Sequence, residues 1–331
     1  MVNKRVVLIA DRVTTHKNAT ISSKDLEVID DNYFNAMFEA LNEIAVEVIH
    51  YQSPEDFIDN IKKHTDDVVL SVWSGISSRN RRALVPSICE TENIAYVGAD
   101  AYLQAICQDK DTCKLFAKKH GLLSPKGTLI YCKHDLEKLK NFSYPMIIKP
   151  NFEGGSIGIF NKNLVDSFEE AKSIGNELLS DYCPLLAEEY IEGEEISYCI
   201  AGLPDKISVF EAIRQYIDGE PYIKHAIMGA ENKKLNDYEQ LWDCVTTGVP
   251  DDYKNFLINF YNHLGKTELI RIDGRVKNNE FYLIELSTDV GLSPVSTMTQ
   301  AFESAGYTYS QMFDILLNNA ITNWEYQNAN K

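Results

Sequence analysis

Tyr144-Pro-Met-Ile-Ile-Lys149-Pro-Asn-Phe-Glu153-Gly154-Gly155-Ser156-Ile-Gly158 runs from an apolar stretch into a glycine-rich loop. The apolar stretch reads as a buried strand, and Lys149 near its end is a positive charge with a preset direction. Gly154, Gly155 and Gly158 let backbone N–H groups approach an anion closely, because no Cβ intervenes. A strand-end lysine beside such a loop suits a triphosphate; a plain surface turn is the alternative.

A second segment bears on that choice. Arg271-Ile-Asp273-Gly-Arg-Val-Lys277-Asn-Asn-Glu280-Phe-Tyr-Leu-Ile-Glu285-Leu-Ser287 predicts a β-hairpin turning at Lys277–Glu280. With residues 278–280 as the loop, Asp273 faces Glu285 and Arg271 faces Ser287. Opposed carboxylates raise each other's pKa, so the arrangement calls for a cation between them, and hard oxygen ligands suit Mg²⁺. A solvated hairpin face is the alternative, but Ile272, Leu283 and Ile284 argue for sheet that is at least half buried.

The chain has 331 residues, enough for two or three packed domains. Its net charge of −17 argues against nucleic acid as a general partner. The N-terminus is too short and too soon polar for a signal peptide, and no apolar run reaches membrane-spanning length. Seven cysteines without a C-x-x-C pair read as reduced, small core residues of a cytoplasmic protein.

Strand and helix patterns alternate through the first hundred residues: strands at Val6–Ala10, Val46–Ile49, Val68–Val72 and Ala95–Val97, with helices around Phe34–Leu41 and Ala83–Thr91. That alternation predicts an open parallel sheet of Rossmann type. A boundary is expected near Ala105–Asp109, then a helix over Thr112–His120 and another over Phe168–Leu179. Later come a polar insertion at Glu231–Gln240, a helix over Asp251–Leu264 and a closing helix after Gly306. Tyr309, Met312, Phe313 and Leu316 give that last helix a core-facing stripe.

From about Tyr96 to Ala320 the chain resembles the ATP-grasp superfamily, and within it the D-alanine–D-alanine ligases. The resemblance rests on Tyr96-Val-Gly-Ala-Asp, Gln108-Asp-Lys-Asp-Thr-Cys-Lys114, the Ile148–Gly158 loop, Glu188-Glu-Tyr-Ile-Glu-Gly-Glu-Glu195, Arg271-Ile-Asp273 and Ile284–Ser296, in that order. It implies an α/β ATP-grasp fold: a Rossmann-like N-terminal domain (1–108), a central α+β domain (109–191) and a C-terminal α+β domain (192–331). It also implies ATP and two Mg²⁺ ions, for which Mn²⁺ can substitute, and small amino-acid or carboxylate substrates. A homodimer is left open.

The site residues follow from the same resemblance. Lys110 and Lys149 would contact the α- and β-phosphates, under a covering loop formed by Glu153, Gly154, Gly155 and Ser156. Glu188, Tyr190 and Ile191 would meet adenine, and Glu195 the ribose. Asp273, Glu285 and Ser287 would hold the metals. Arg271 would stabilise the tetrahedral intermediate, and Lys224, with Arg214 as competitor, would reach the γ-phosphate. Gly291 and Ser296 would bind the second substrate.

Some family features are missing. No acid can be placed for the first substrate's ammonium in Asp11–Lys17, which replaces a Gly-Gly-x-Ser-type turn. An acidic family segment is replaced by the basic Trp73–Arg82, the loop serine is displaced from position 155 to Ser156, and Ser287 stands where asparagine is expected, with Asp289 as a further oxygen donor. Arg79, Arg81 and Arg82 at a helix start would favour a substrate anion. The sequence therefore leads us to expect an ADP-forming carboxylate–amine ligase whose substrates are not two D-alanines. The alternatives are D-alanine–D-alanine ligation itself and a nucleotide-binding protein without ligase activity.

Overall fold

The computed structural model describes residues 2–12, 28–73, 75, 79–229 and 241–329. Most of the Asp11–Lys17 turn and all of the Glu231–Gln240 insertion therefore lie outside the described residues, as do positions 74 and 76–78 of the basic segment.

The first sheet is parallel, with β1 (Val6–Ile9), β2 (Val48–Tyr51), β3 (Val68–Ser71) and β4 (Ala95–Tyr96) in the order β2-β1-β3-β4. Every residue of β1 is buried, as a strand covered on both faces requires. Helices α1 (Asp31–Ile44), α2 (Pro54–Asn60) and α3 (Leu84–Glu92) connect these strands. The expected Rossmann-type alternation is present, but β2 begins two residues late. Val46 is 67% exposed, and pairing with Val6 starts at Val48.

Two abutting helices follow, α4 (Ala101–Gln108) and α5 (Lys110–Lys119). The sequence pattern predicts only a boundary where α4 lies; the break is the single residue Asp109. Its side chain caps α5 by accepting from the Thr112 N–H at 3.1 Å.

The second sheet is antiparallel: β5 (Gly127–Ile130), β6 (Met146–Pro150), β7 (Leu164–Val165) and β8 (Leu185–Glu189), in the order β5-β8-β6-β7. Helix α6 (Phe168–Leu178) packs on it through Ala171 and Leu178, against Met146 and Ile148. A 3₁₀ helix at Lys133–Asn141 fills a stretch the sequence left as a connection, burying Leu136 and Leu139 three residues apart.

The third sheet contains β9 (Gly193–Leu203), β10 (Lys206–Gln215), β11 (Tyr222–Ile223), β12 (Trp242–Cys244), β13 (Leu269–Lys277) and β14 (Glu280–Ser287). Its order is β12-β10-β9-β13-β14, with β11 on the end of β9. One face packs on α7 (Asp251–Asn262) through Ile196, Tyr198 and Ile200. The opposite face, with Cys199 and Ala201, joins α8 (Thr297–Ser304) and α9 (Tyr309–Ala329) in a core that also includes Val6 and Leu8. Met312, Phe313 and Leu316 are fully buried there, so the C-terminal helix ties the first sheet to the third. Not every cysteine is a core residue: Cys132, Cys183 and Cys244 are exposed.

Candidate active site

The β13–β14 hairpin sets one wall of the site. Asp273 pairs with Glu285 and Arg271 with Ser287, the register expected from the sequence. The route to it differs. The turn has two residues, Asn278 and Asn279, both at positive φ (53° and 64°), and Lys277 pairs with Glu280. Left alone, that turn would shift the pairing by one residue. A bulge between the Asp273 and Gly274 pairs restores it. Gly274 is required there, since a Cβ would lie 2.3 Å from the Tyr282 carbonyl oxygen.

Cross-strand neighbours complete this face. Ser197 on β9 lies opposite Asp273 and donates to its Oδ1 at 2.6 Å. Ser287 Oγ donates to Oδ2 at 3.1 Å, and Arg271 Nε reaches both oxygens at 2.7 and 2.9 Å. Glu285 lies 3.3 Å from Lys110 Nζ. Burial raises the pKa of Glu285, but Lys110, Arg82, Lys149 and Arg271 outweigh burial and draw it down to about 2.

Lys149 near the end of β6 is directed by a buried carboxylate. Its Nζ lies 2.5 Å from Glu188 Oε1, while Lys114 of α5 contacts the other oxygen. Glu188 is completely buried and does not line the cavity, which corrects its expected place at adenine. Burial and the neighbouring Lys110 lower Lys149 to about 7. Lys110 itself opens α5, where the helix N-terminus disfavours a cation. Glu285 and the Glu153 carbonyl oxygen compensate. Buried Asn151 ties the two lysine-bearing elements together: its amide donates to Asp109 at 2.7 Å, and its side-chain oxygen accepts from Asp111 N–H at 3.1 Å.

The glycine-rich loop turns through Gly155, Ser156 and Gly158, at φ of 57°, 63° and 70°. Ser156 Oγ donates to the Met228 carbonyl at 2.9 Å, resting the loop on the segment after β11. From the other side Arg81 reaches Glu153 Oε2 at 3.2 Å and the Phe152 carbonyl at 3.4 Å. The hinge after β8 is braced by Arg275, which is not among the site residues expected from the sequence. Its guanidinium donates to Glu195 at 3.0 Å, to the Ile191 carbonyl at 2.9 Å and to the Ala226 carbonyl at 3.0 Å, and lies over the Tyr190 ring. Its signal was the alternation Arg271, Asp273, Arg275 on one face of a buried strand.

These elements enclose a cavity of about 1320 Å³. Lys110, Lys149, Glu153, Gly154, Gly155 and Ser156 line it from the central region. Tyr190, Ile191 and Glu195 line it from the hinge, and Arg271, Asp273, Glu285 and Ser287 from the hairpin. Gly291 and Ser296 lie on the remaining wall, where Arg82 meets Asp289 at 2.9 Å.

Other expected residues do not reach the cavity. Arg81 is 5% exposed and turned to the glycine loop, and Arg79 lies over the Phe152 ring at 5.0 Å. Exposed Lys224 is not among the lining residues. Arg214 projects from the opposite face of β10, where Asp243 holds it at 2.6 and 2.9 Å. Strand parity decides that outcome.

Two antiparallel sheets closing on lysines, a glycine-rich loop and paired carboxylates define an ATP-grasp fold, with a Rossmann-type sheet in front. The D-ala D-ala ligase C-terminus family matches residues 122–318, more than half of the chain, and the chain belongs to that family. Among curated relatives it is similar to the D-alanine–D-alanine ligase of Pseudothermotoga lettingae, 24% identical over 86% of this chain and 92% of that protein. It is also similar to the D-alanine–D-alanine ligase of Clostridium perfringens, 23% identical over 96% of this chain and 98% of that protein. Among solved structures, D-alanine–D-alanine ligase from Bacillus anthracis complexed with ATP superposes with a TM-score of 0.72, at 20% identity over 98% of this chain and 99% of that one. The VanG D-Ala:D-Ser ligase from Enterococcus faecalis gives 0.67, at 18% identity over 96% of this chain and 100% of that one.

Proposed function

We propose that the chain is an ADP-forming carboxylate–amine ligase acting on D-alanine-type amino acids. The observation that carries this reading is the Asp273–Glu285 pair, facing the cavity between Lys110 and Arg271 and below the glycine-rich loop. The sequence departures led away from D-alanine. The family and the named relatives support D-alanine instead, at least as the amino acid whose carboxylate is activated.

The chemical difficulty is charge, because an anionic carboxylate must meet an anionic γ-phosphate. Lys110 and Lys149 are placed to bind the phosphates of ATP, in the cleft between the units we assign to residues 109–191 and 192–331. Tyr190, Ile191 and Glu195, braced by Arg275, form the base and ribose side. The loop Glu153–Gly158 would exclude water from the activated acyl group.

Asp273, Glu285 and the Ser287 hydroxyl are hard oxygen donors suited to Mg²⁺. Among the described residues no cluster of three or more His, Cys, Asp or Glu side chains could hold an ion without help. That fits Mg²⁺ shared between one or two carboxylates and substrate phosphates. When bound, it would neutralise charge on the transferring phosphoryl group. Arg271, held beside Asp273, is placed to stabilise the oxyanion formed when the amine attacks.

Nucleotide analysis with Mg–ATP, D-alanine and a panel of amino-acid acceptors tests this reading. ADP, phosphate and a dipeptide mass are expected. AMP with pyrophosphate would overturn it, and nucleotide binding without turnover for any pair would favour a binding protein.

A further inference from the structure

Two of the exposed thiols come together at one edge of the second sheet, away from the cavity. Strand β5 pairs with β8 from Gly127 opposite Glu188 to Ile130 opposite Leu185. Carried two residues past that last pair, the same register sets Cys132 opposite Cys183. Opposed residues on antiparallel strands share a face, with Cβ atoms about 4.5–5.5 Å apart. A disulfide spans Cβ atoms about 3.5–4.5 Å apart, so a short approach is enough to join such a pair.

Side-chain contacts agree with that placement. Cys183 Sγ donates to the carbonyl oxygen of Tyr131, the residue before Cys132, at 3.4 Å. Cys132 Sγ donates to Asp135 Oδ2 at 3.7 Å, and the same oxygen accepts from the Tyr131 N–H at 2.9 Å. Both thiols therefore gather around the backbone of Tyr131, and both are open to solvent. The remaining cysteines are placed differently. Cys89, Cys107, Cys113 and Cys199 are buried, and Cys244 is exposed on β12 of the third sheet, where it donates to Glu211 at 3.2 Å. Among the described residues no three His, Cys, Asp or Glu side chains could hold a metal ion, so two thiols with this register suit a bond to each other.

We propose that Cys132 and Cys183 form a redox-reversible modification site, closing to an intramolecular disulfide when a peroxide reaches them. One thiolate attacks a peroxide oxygen, becomes a sulfenic acid and releases hydroxide; the second thiol then attacks that sulfur and water leaves. Two thiols and one hydrogen peroxide give one disulfide and two waters, the sulfurs being oxidised and the peroxide oxygens reduced. The link fastens a joint of the central sheet. One residue beyond Cys183, the Pro184 carbonyl accepts from Asn151 N–H at 3.2 Å, and β8 continues from there to Glu188. Joining residues 132 and 183 also constrains the unfolded chain between them, so the oxidised form is the more stable one.

The test treats the folded full chain with hydrogen peroxide. Titration of accessible thiols should fall by two, and peptide mapping without reduction should find the Cys132 and Cys183 peptides joined, two hydrogens lighter than their sum. Dithiothreitol should restore both thiols. Cys244→Ser should form the link as readily as wild-type protein. Cys183→Ser should form none and should leave Cys132 as a sulfenic acid that dimedone captures; Cys132→Ser, with the roles exchanged, serves if the first variant does not fold. Oxidation should raise the wild-type Tm by roughly 5 °C and leave that of Cys183→Ser unchanged. Peroxide that leaves both thiols titratable, or that joins Cys244 or separate chains just as readily, would overturn the pair as a site. A Cys132–Cys183 link that lowers Tm would overturn it too, since the strands would then have to leave their register to make the bond.

Discussion

Glu188 lies completely buried with Lys149 at 2.5 Å on one oxygen and Lys114 on the other. A surface-like run of glutamates in the sequence thus contains the counter-ion that aims the cavity-lining Lys149. The carboxylate makes it possible for two cations to sit in the interior at all.

Replacing that carboxylate should be severe. Glu188→Gln leaves Lys114 and Lys149 buried without their shared anion, and breaking such a pair costs about 3–5 kcal/mol. Burial already lowers both lysines, Lys149 to about 7. A lysine depressed in the folded state binds fewer protons than in the unfolded chain, so stability rises with pH from about 7 toward the ordinary lysine value of 10.5. Urea unfolding should therefore show the variant's deficit largest below about pH 7 and smaller near pH 10.

Glu285 carries the opposite sign. Its folded pKa of about 2 lies below the ordinary 4.5, so its contribution is full above 4.5 and is lost as pH falls toward 2. Thermal unfolding of Glu285→Gln and wild-type protein should differ most above pH 4.5 and converge by about pH 2. In turnover assays, Glu285→Gln and Asp273→Asn should each lose nearly all activity while nucleotide affinity falls far less, because metal charge acts mainly in transfer.

The three arginines of the basic segment should separate. Arg82, on the cavity wall, should raise the amino-acid KM roughly ten- to a hundredfold when changed to alanine, the loss of one charge-assisted hydrogen bond. Arg81→Ala should act through the glycine loop instead, raising the KM for ATP and the amide exchange of Glu153–Gly158. Arg79→Ala should leave both constants within about twofold, as expected of an exposed contact. An equal response from all three would show that the segment acts only as a diffuse positive patch.

Arg275 offers a test of the hinge. Lysine keeps the charge but cannot span Glu195 and two carbonyl groups in one plane. Arg275→Lys should weaken ATP binding roughly tenfold, with circular dichroism unchanged. Nucleotide affinity equal to wild type would mean that Glu195 and Tyr190 are held by their strands alone.

Much of this protein could be read from local pattern. Alternation along Arg271–Ser287 named the opposed carboxylates, and the apolar run before Lys149 named the strand and loop that meet them, because period-two burial is a local property of a strand. The Rossmann-type sheet followed from its repeating order of strands and helices. Local pattern could not show that a two-residue turn and a bulge at Gly274 would cancel in register. It could not show that Glu188 would turn inward to two lysines, or that Arg81 would turn to the glycine loop rather than into the cavity. Those outcomes depend on which residues, tens of positions apart, share one buried space. Charges there settle against the nearest counter-charge, whatever the composition of their own segment, and only the assembled sheets decide which one that is.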